Sequence, residues 1–198
     1  SIVTTDVGQN QLWTTQYIRM DGKRQFLTSG GLGTMGYGLP AAIGASIGNP
    51  GNPVICISGD GGAQMNIQEL ATAHALETPV ILCIFNNTYL GNVKQMQKMF
   101  YNKRYSSTCL RYSRSCNRQC RIDGTCAGGE YVPDFVKLAE SYGCTGIRVE
   151  NEAQMDEAFK RAAENTKSVT LIEFMLDCEY DVYPMVPGGA ALSDMMFG

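Results

Sequence analysis

The stretch that decides the fold is Pro53-Val54-Ile55-Cys56-Ile57-Ser58, an apolar run that leads into Gly59-Asp60-Gly61-Gly62. A second apolar run, from Pro79 to Phe85, leads into Asn86-Asn87. Runs that are apolar throughout, rather than alternating, predict strands buried on both faces of a parallel sheet. Ligands in such sheets bind outside the carboxyl ends of the strands. The two runs therefore predict that Asp60 and Asn87 share one edge of a sheet.

The residue types at this edge are those of a metal–diphosphate site. Asp60 offers an anionic oxygen and Asn87 a neutral one, and Mg²⁺ prefers oxygen ligands while it keeps substrate phosphates in its shell. Gly61 and Gly62 allow backbone amides to approach an anion closely. A helix predicted to begin near Asn66 would add its N-terminus. The residues alone give the hypothesis of a cofactor diphosphate held through Mg²⁺.

The alternation of strand and helix patterns predicts the α/β class, as a three-layer, doubly wound, mainly parallel sheet with helices on both faces. Asp6 is the predicted N-cap of the first helix, and Asn66 with Glu69 resembles a capping box. The length of 198 residues fits a single domain, 1–198. We predict strands near 25–28, 53–58, 79–85, 146–149 and 169–176, and helices near 6–17, 37–47, 66–76, 91–101, 133–142 and 152–165.

Charge and composition exclude several functions. The net charge is −3 without a long run of one sign, so we expect no nucleic acid and no anionic membrane surface as partner. No apolar run reaches the roughly 18 residues of a membrane span, and the default localisation is cytoplasmic. His74 is the only histidine, which excludes a histidine-based catalytic triad within this chain. Lys94 and Lys98 are interpreted as a solvated helix face, and Trp13 as a packing residue.

Several motifs in order resemble one enzyme family. Gly59-Asp60-Gly61 followed by Asn86-Asn87 resembles the signature of thiamine diphosphate (ThDP) enzymes. Within that superfamily, the loop Ser29–Pro40 is similar to the cofactor loop of the acetohydroxyacid (acetolactate) synthases. The segments 5–9, 66–73, 100–106, 133–135 and 182–187 are similar too. The resemblance covers nearly the whole chain except roughly 109–131, and it corresponds to the C-terminal, diphosphate-binding third of such an enzyme. We therefore expect a fragment of a larger enzyme.

The resemblance implies a set of cofactor ligands. Mg²⁺ would be bound by the side chains of Asp60 and Asn87 and by the backbone carbonyl of Tyr89. Diphosphate contacts are implied for one segment and three glycines: Val7, Gly8, Gln9, Asn10, Gly61, Gly62 and Gly91. Asn10 stands where the family usually has histidine, and we expect its amide still to donate a hydrogen bond.

The resemblance also implies how the organic part of ThDP is held. Met35 matches the bulky residue on which the cofactor bends, and its amide would address the pyrimidine ring. The carbonyl of Gly33 would accept a hydrogen bond from the cofactor's amino group. The glutamate that activates the pyrimidine comes from another domain, on a neighbouring subunit, so no catalytic residue is expected in this chain and the isolated domain is expected to be inactive.

The implied activity is that of a transferase in branched-chain amino-acid biosynthesis. Pyruvate would be decarboxylated and the two-carbon unit ligated to a second 2-keto acid. Asn92, Val93 and Met96 would line the substrate channel; Asn92 and Met96 stand where the family usually has methionine and tryptophan, which leaves the acceptor open. Expected partners are the other domains, a second subunit in a homo-oligomer and a small regulatory subunit. Some family members also bind FAD, largely through a middle domain.

Two alternatives stay open from the sequence. One is another ThDP-dependent 2-keto acid decarboxylase, carboligase or oxidase. The other, from a different class, is a non-catalytic Cys-rich metal-binding or interaction module, suggested by an insert at 109–131 with four cysteines: Cys109, Cys116, Cys120 and Cys126. Four thiolates can hold Zn²⁺ or an iron–sulfur cluster. Reduced thiols are the competing interpretation, and disulfides are disfavoured in a reducing cytosol.

Overall fold

The computed structural model describes residues 1–22, 24–111 and 133–198. Within these residues, six strands form one sheet in the order β2-β1-β3-β4-β6-β5, and every pairing between them is parallel. The strands are β1 Ile2–Thr5, β2 Gln25–Thr28, β3 Val54–Gly59, β4 Ile81–Asn86, β5 Thr145–Val149 and β6 Thr170–Met175. The α/β class and the parallel sheet are confirmed. The predicted Cys-rich insert lies mostly outside the described residues, because Cys116, Cys120 and Cys126 fall in 112–132.

Helices connect these strands and pack against the sheet. They are α1 Gln9–Tyr17, α2 Gly38–Gly48, α3 Asp60–Ala63, α4 Leu70–Ala75, α5 Gly91–Phe100, α6 Phe135–Ser141 and α7 Met155–Glu164. Short 3₁₀ turns occur at Ile67–Glu69, Glu152–Gln154 and Leu192–Asp194. No helix in the described ranges is both long and apolar enough to cross a membrane.

The core divides into two clusters that use alternate residues of the strands. On β3, Val54 and Cys56 belong to a cluster with apolar residues of α2, α4 and α6. Ile55 and Ile57 instead pack against a cluster that contains residues of α7. Because successive residues of a strand point to opposite faces, the two clusters lie on opposite sides of β3. Cys56 in β3 and Cys83 in β4 are both buried.

The structure corrects three local predictions. The strand β1 has no counterpart among the predicted elements, because it is only four residues long and directly precedes a turn. Asp6 does not cap α1, which begins after Gly8 without a side-chain cap. The predicted capping box at Asn66 does not form: a 3₁₀ turn follows, and Asn66 Nδ2 donates instead to the carbonyl of Gly36. The helix that directly follows β3 is the short α3, which begins at Asp60 itself.

The strand order places a reversal of direction beside β1. The chain runs from β1 outward to β2 and then returns to β3 on the other side of β1. A crevice forms at such a reversal, outside the carboxyl ends of the strands. The turn after β1, which carries Val7 and Gly8, and the start of α3, which carries Asp60, flank this crevice.

Candidate functional site

A cavity of about 120 Å³ lies at the carboxyl ends of β1, β3 and β4, beside the start of α5. Most of the predicted site residues line it: Val7, Gly8, Gln9, Asn10, Met35, Asp60, Gly61, Gly62, Asn87, Tyr89, Gly91, Asn92 and Val93. Gly33 and Met96 are not among the lining residues; Gly33 is exposed on the loop before Met35, with a positive φ of 63°. One cavity thus gathers residues from four separate parts of the sequence: 7–13, 35, 59–62 and 85–93.

Asp60 is a buried carboxylate without a basic partner in the described part of the chain. It is 2% exposed, and its oxygens accept hydrogen bonds from the amides of Gly61 (2.8 Å) and Thr88 (2.6 Å). Burial raises its pKa to about 7, against the lowering effect of these backbone hydrogen bonds. A buried carboxylate is costly unless it is paired or coordinates a metal. The donor set therefore fits a bound cation, and a cation beside Asp60 would favour the ionised carboxylate.

Asn87 lies within a hydrogen-bonded group next to Asp60. Its Oδ1 accepts from the amide of Tyr89 at 3.1 Å, and its Nδ2 donates to Oε1 of Gln9 at 3.1 Å. Gly91 makes room for this contact, since a Cβ there would overlap Gln9 Oε1 and lie 2.7 Å from Asn87 Nδ2. The close packing gives Gly91 a steric reason to be glycine, which is separate from the predicted diphosphate contact.

Asp6 is a functional candidate that the sequence analysis assigned to another role. It is 1% exposed and accepts hydrogen bonds from the amides of Val7 (2.8 Å), Gly36 (2.9 Å) and Gly38 (2.9 Å). Gly62 packs directly on it, because a Cβ there would overlap the Asp6 carboxylate. Asp6 thereby joins the turn after β1, the loop around Met35 and the short helix α3. Its position inside the segment 5–9 was the only signal in the sequence.

Asn10 makes hydrogen bonds within the protein with both of its amide hydrogens. Its Nδ2 donates to the carbonyls of Asp6 (3.1 Å) and Ile57 (3.0 Å), so both amide hydrogens are used within the protein. The oxygen of Asn10 faces Gly8 and Gly59, 3.1 and 3.4 Å from the position of a Cβ on each. These hydrogen bonds tie α1 to the turn after β1 and to β3. A contact of Asn10 with a diphosphate stays a prediction.

Three further observations bear on what the cavity can hold. Gly61 lies against Leu90, whose side chain would overlap a Cβ at that position, and Met35 approaches the same point at 3.7 Å. Asn92 Oδ1 is buried and has no hydrogen-bond partner among the described residues, which leaves an acceptor available to a ligand. Val93 is 47% exposed. The cavity is therefore lined by both apolar and polar residues.

Aromatic residues complete the wall, and the sequence analysis did not assign them to the site. Trp13 and Phe85 both line the cavity, and their ring centroids are 6.4 Å apart. The sequence predicts a packing role for Trp13; its ring does pack on Phe85, and it also borders the cavity. Gln9 and Trp13 are four residues apart on α1, and residues at that spacing share a helix face. This spacing in the sequence indicates that Trp13 lies on the same face of α1 as the predicted site residue Gln9.

The helix α5 is held by the C-terminal segment. Lys94, expected on a solvated face, is only 3% exposed; its ammonium pairs with Glu179 and lies over the rings of Tyr89 and Tyr105. Lys98 pairs with Asp181 at 2.7 Å. The hydrogen bond and charge of Lys94 lower the pKa of Glu179 below its ordinary value. Lys94 is thus buried rather than solvated, whereas Lys98 is half-buried and ion-paired.

The cysteine cluster is represented in the structure only by Cys109. The backbone of Cys109 forms an isolated antiparallel β-bridge with Tyr89, next to the cavity. Within 1–22, 24–111 and 133–198, no group of three or more histidine, cysteine, aspartate or glutamate residues is arranged to hold a metal ion. A second metal site at the four cysteines stays a prediction from the sequence.

The fold and the cavity together define an α/β domain whose site, at the reversal of the strand order, suits an anionic ligand accompanied by a cation. Residues 6–174 match the family model of the thiamine pyrophosphate enzyme, C-terminal TPP binding domain. The chain belongs to this family.

Acetolactate synthase large subunits are similar to this chain over nearly its whole length. It is 45% identical to a probable acetolactate synthase large subunit of Methanococcus aeolicus over 99% of its length. It is 40% and 38% identical to the large subunits of acetolactate synthase isozymes 3 and 2 of Escherichia coli, each over 98% of its length. The chain spans only 29–32% of the length of these relatives.

Proposed function

We propose that this chain is the ThDP- and Mg²⁺-binding domain of an acetolactate synthase large subunit. The longer enzyme would decarboxylate pyruvate and ligate the two-carbon unit to a second 2-keto acid. The observation that carries the proposal is the cavity at the strand ends, where a buried Asp60 without a basic partner in the described residues lies beside Asn87. The large-subunit relatives support the specific activity. The two clusters on either side of β3 support the three-layer, doubly wound arrangement.

In this proposal the chain's own residues bind and orient the cofactor. Asp60, Asn87 and the carbonyl of Tyr89 would hold Mg²⁺, and the amides of Gly61, Gly62 and Gly91 would face the diphosphate. Met35 would support the organic end of the cofactor. Bound ThDP supplies the carbanion chemistry, as cofactors of this kind do. Asp6 would keep the loop around Met35 at a fixed distance from Gly61 and Gly62, whose amides would face the diphosphate.

The rest of the enzyme is part of the same proposal. Residues 1–198 would be one domain of a cytoplasmic homo-oligomer, whose other domains supply the activating glutamate and, where it is present, FAD. The names of the large-subunit relatives support a small regulatory subunit as partner. Val93 and Met96 would face the substrate channel together with Asn92. The orphaned oxygen of Asn92 favours keeping a second candidate, another ThDP-dependent 2-keto acid carboligase with a different acceptor.

The test is a titration of the full-length protein with ThDP, with and without Mg²⁺. We expect binding that depends strictly on Mg²⁺. Asp60→Ala should abolish the Mg²⁺-dependent part while the protein stays folded, because Asp60 is the one anionic side chain among the three proposed protein ligands of the metal. Asp156→Ala is the matched control, since Asp156 is exposed on α7, and it should bind as the unchanged protein does.

Two outcomes would contradict the proposal. Unchanged ThDP affinity in the Asp60→Ala protein would show that the metal site is assigned wrongly. Mg²⁺-dependent binding without formation of acetolactate from pyruvate would remove the specific activity and leave the second candidate. Analysis of the products formed from pyruvate with a second 2-keto acid separates the two.

A further inference from the structure

A buried glutamine on α5 fixes itself to the backbone of the C-terminal segment. Gln95 is 1% exposed and does not line the cavity. Its Oε1 accepts from the amide of Val182 at 2.9 Å, and its Nε2 donates to the carbonyl of the same residue at 2.9 Å. A backbone amide can only donate and a carbonyl can only accept. Val182 therefore determines which end of the Gln95 carboxamide carries the oxygen.

The orientation of Gln95 determines that of Gln9. Nε2 of Gln9 donates to Oε1 of Gln95 at 3.1 Å and to the carbonyl of Tyr180 at 3.1 Å. Both partners are acceptors, so the nitrogen of Gln9 must point toward them. Its oxygen consequently points the other way, toward Asn87.

Gln9 in turn acts on the predicted metal ligand. Its Oε1 accepts from Nδ2 of Asn87 at 3.1 Å, in a contact buried on both sides. A carboxamide binds Mg²⁺ through oxygen and not through nitrogen. With Nδ2 held by Gln9, Oδ1 is the end left for the metal, and it now accepts from the amide of Tyr89.

We propose that Gln95 is a positioning residue of the metal site, which acts through Gln9 to hold the Asn87 carboxamide with its oxygen available to Mg²⁺. The orientation thus starts at the backbone of Val182, 95 positions along the chain from Asn87. This inference rests on the proposed function, since it assumes that Asn87 is a ligand. It assigns a role to a residue that touches neither the metal nor the cofactor.

The experiment measures Mg²⁺ affinity by calorimetric titration of the full-length protein at saturating ThDP. Changes in residues that orient metal ligands commonly weaken metal binding about 10–100-fold, and we expect Gln95→Leu to do so. The matched control is Gln97→Leu on the same helix. Gln97 is hydrogen-bonded to Ser106, not to Gln9, so its loss should lower stability but leave Mg²⁺ affinity within about two-fold.

A second variant tests the route and guards against a folding defect. Gln9→Met leaves the pair between Gln95 and Val182 intact and should weaken Mg²⁺ binding about as much as Gln95→Leu. If the effect passes through Gln9, the double variant should be no weaker than Gln9→Met alone, because coupled residues are not additive. The melting temperature without Mg²⁺ and ThDP reports the purely structural cost of each change.

The outcomes separate the inference from the proposed function. Mg²⁺ affinity within two-fold of the unchanged protein in Gln95→Leu or in Gln9→Met, together with a loss in Asn87→Ala, would overturn the positioning role alone. Unchanged affinity in Asn87→Ala would overturn the proposed metal ligand, and the positioning role with it. Equal losses in Gln95→Leu and Gln97→Leu would also overturn the inference, since they would show a general effect of a weakened α5.

Discussion

Replacing Asp6 with alanine tests the residue that joins the turn after β1, the Met35 loop and α3. The carboxylate accepts hydrogen bonds from three amides, and two of these, from Gly36 and Gly38, are buried. A buried donor that loses its partner costs about 1–3 kcal/mol. For two such amides, Asp6→Ala should lower the free energy of unfolding by about 2–6 kcal/mol.

Asp6→Asn gives a graded form of the same test. The carboxamide keeps one acceptor oxygen but turns an NH₂ group toward an amide that can only donate. We expect a loss of about 1–3 kcal/mol, less than for alanine. The assay is urea unfolding followed by circular dichroism, with midpoint and slope fitted separately. The control is Asp156→Ala, at an exposed residue in the first turn of α7. Because it removes only a favourable interaction with the helix dipole, it should lower the free energy of unfolding by no more than about 0.5–1 kcal/mol.

The refuting result is specific. If Asp6→Ala costs less than about 1 kcal/mol with an unchanged slope, the amides of Gly36 and Gly38 find other partners, because otherwise the penalty for unsatisfied buried donors must appear. Asp6 would then not be the residue that holds the Met35 loop. A loss equal to that of Asp156→Ala would lead to the same conclusion.

Three further predictions follow from single contacts. Gly62→Ala should destabilise the fold, because its Cβ would overlap the Asp6 carboxylate, whereas Gly44→Ala in α2, whose Cβ meets no atom within 4 Å, should stabilise it by about 0.5–1 kcal/mol in urea unfolding. Burial desolvates Asp134, but hydrogen bonds from the Lys137 amide and side chain and the nearby cationic charge outweigh this and lower its pKa. The pKa of Asp134 is lower in the folded than in the unfolded protein, so its contribution to the free energy of unfolding is present above about pH 4 and is lost as the pH falls through the folded-state pKa. In Asp134→Asn, the free energy of unfolding should therefore fall less steeply as the pH is lowered. An unchanged pH dependence in this range would contradict the lowered pKa of Asp134. Burial raises the pKa of Cys56 to about 12, so iodoacetamide at pH 8 should modify it only after unfolding, as mass spectrometry of the labelled peptide would reveal; rapid labelling of the folded protein would contradict its buried position.

The fold was largely predictable because the central strands carry continuous apolar runs. The pattern located β3 and β4 to within two residues, since both strands are buried on two faces and leave little room for polar residues. The strand β1 escaped prediction because four residues give too short a pattern and its last two are buried threonines. The role of Asp6 escaped for a related reason: an aspartate ahead of a helix predicts a cap locally, whereas its partners here lie 30 and 32 residues away.

The sequence predicts which residues line the candidate cavity better than it predicts the hydrogen bonds between them. Asp60, Asn87 and Gly91 do meet at one cavity, because strand ends in a parallel sheet converge. The contacts that orient them were out of reach of the sequence. Gln95 is one polar residue among several on α5, and only the path of residues 180–182 gives it a partner. Lys94 was misjudged for the same reason, since Glu179 covers it from a distant part of the chain.

The position of β6 has a consequence for synthesis on the ribosome. β6, at Thr170–Met175, comes last in sequence among the six described strands, yet it lies between β4 and β5. Until it emerges, β5 has no neighbour in the sheet, and one side of β4 exposes unpaired amides and carbonyls. Unpaired strand edges invite pairing with other chains. A nascent chain stalled before residue 170 would therefore present an aggregation-prone edge on β4. β6 covers this edge by inserting between β4 and β5 rather than by adding to the outside of the sheet.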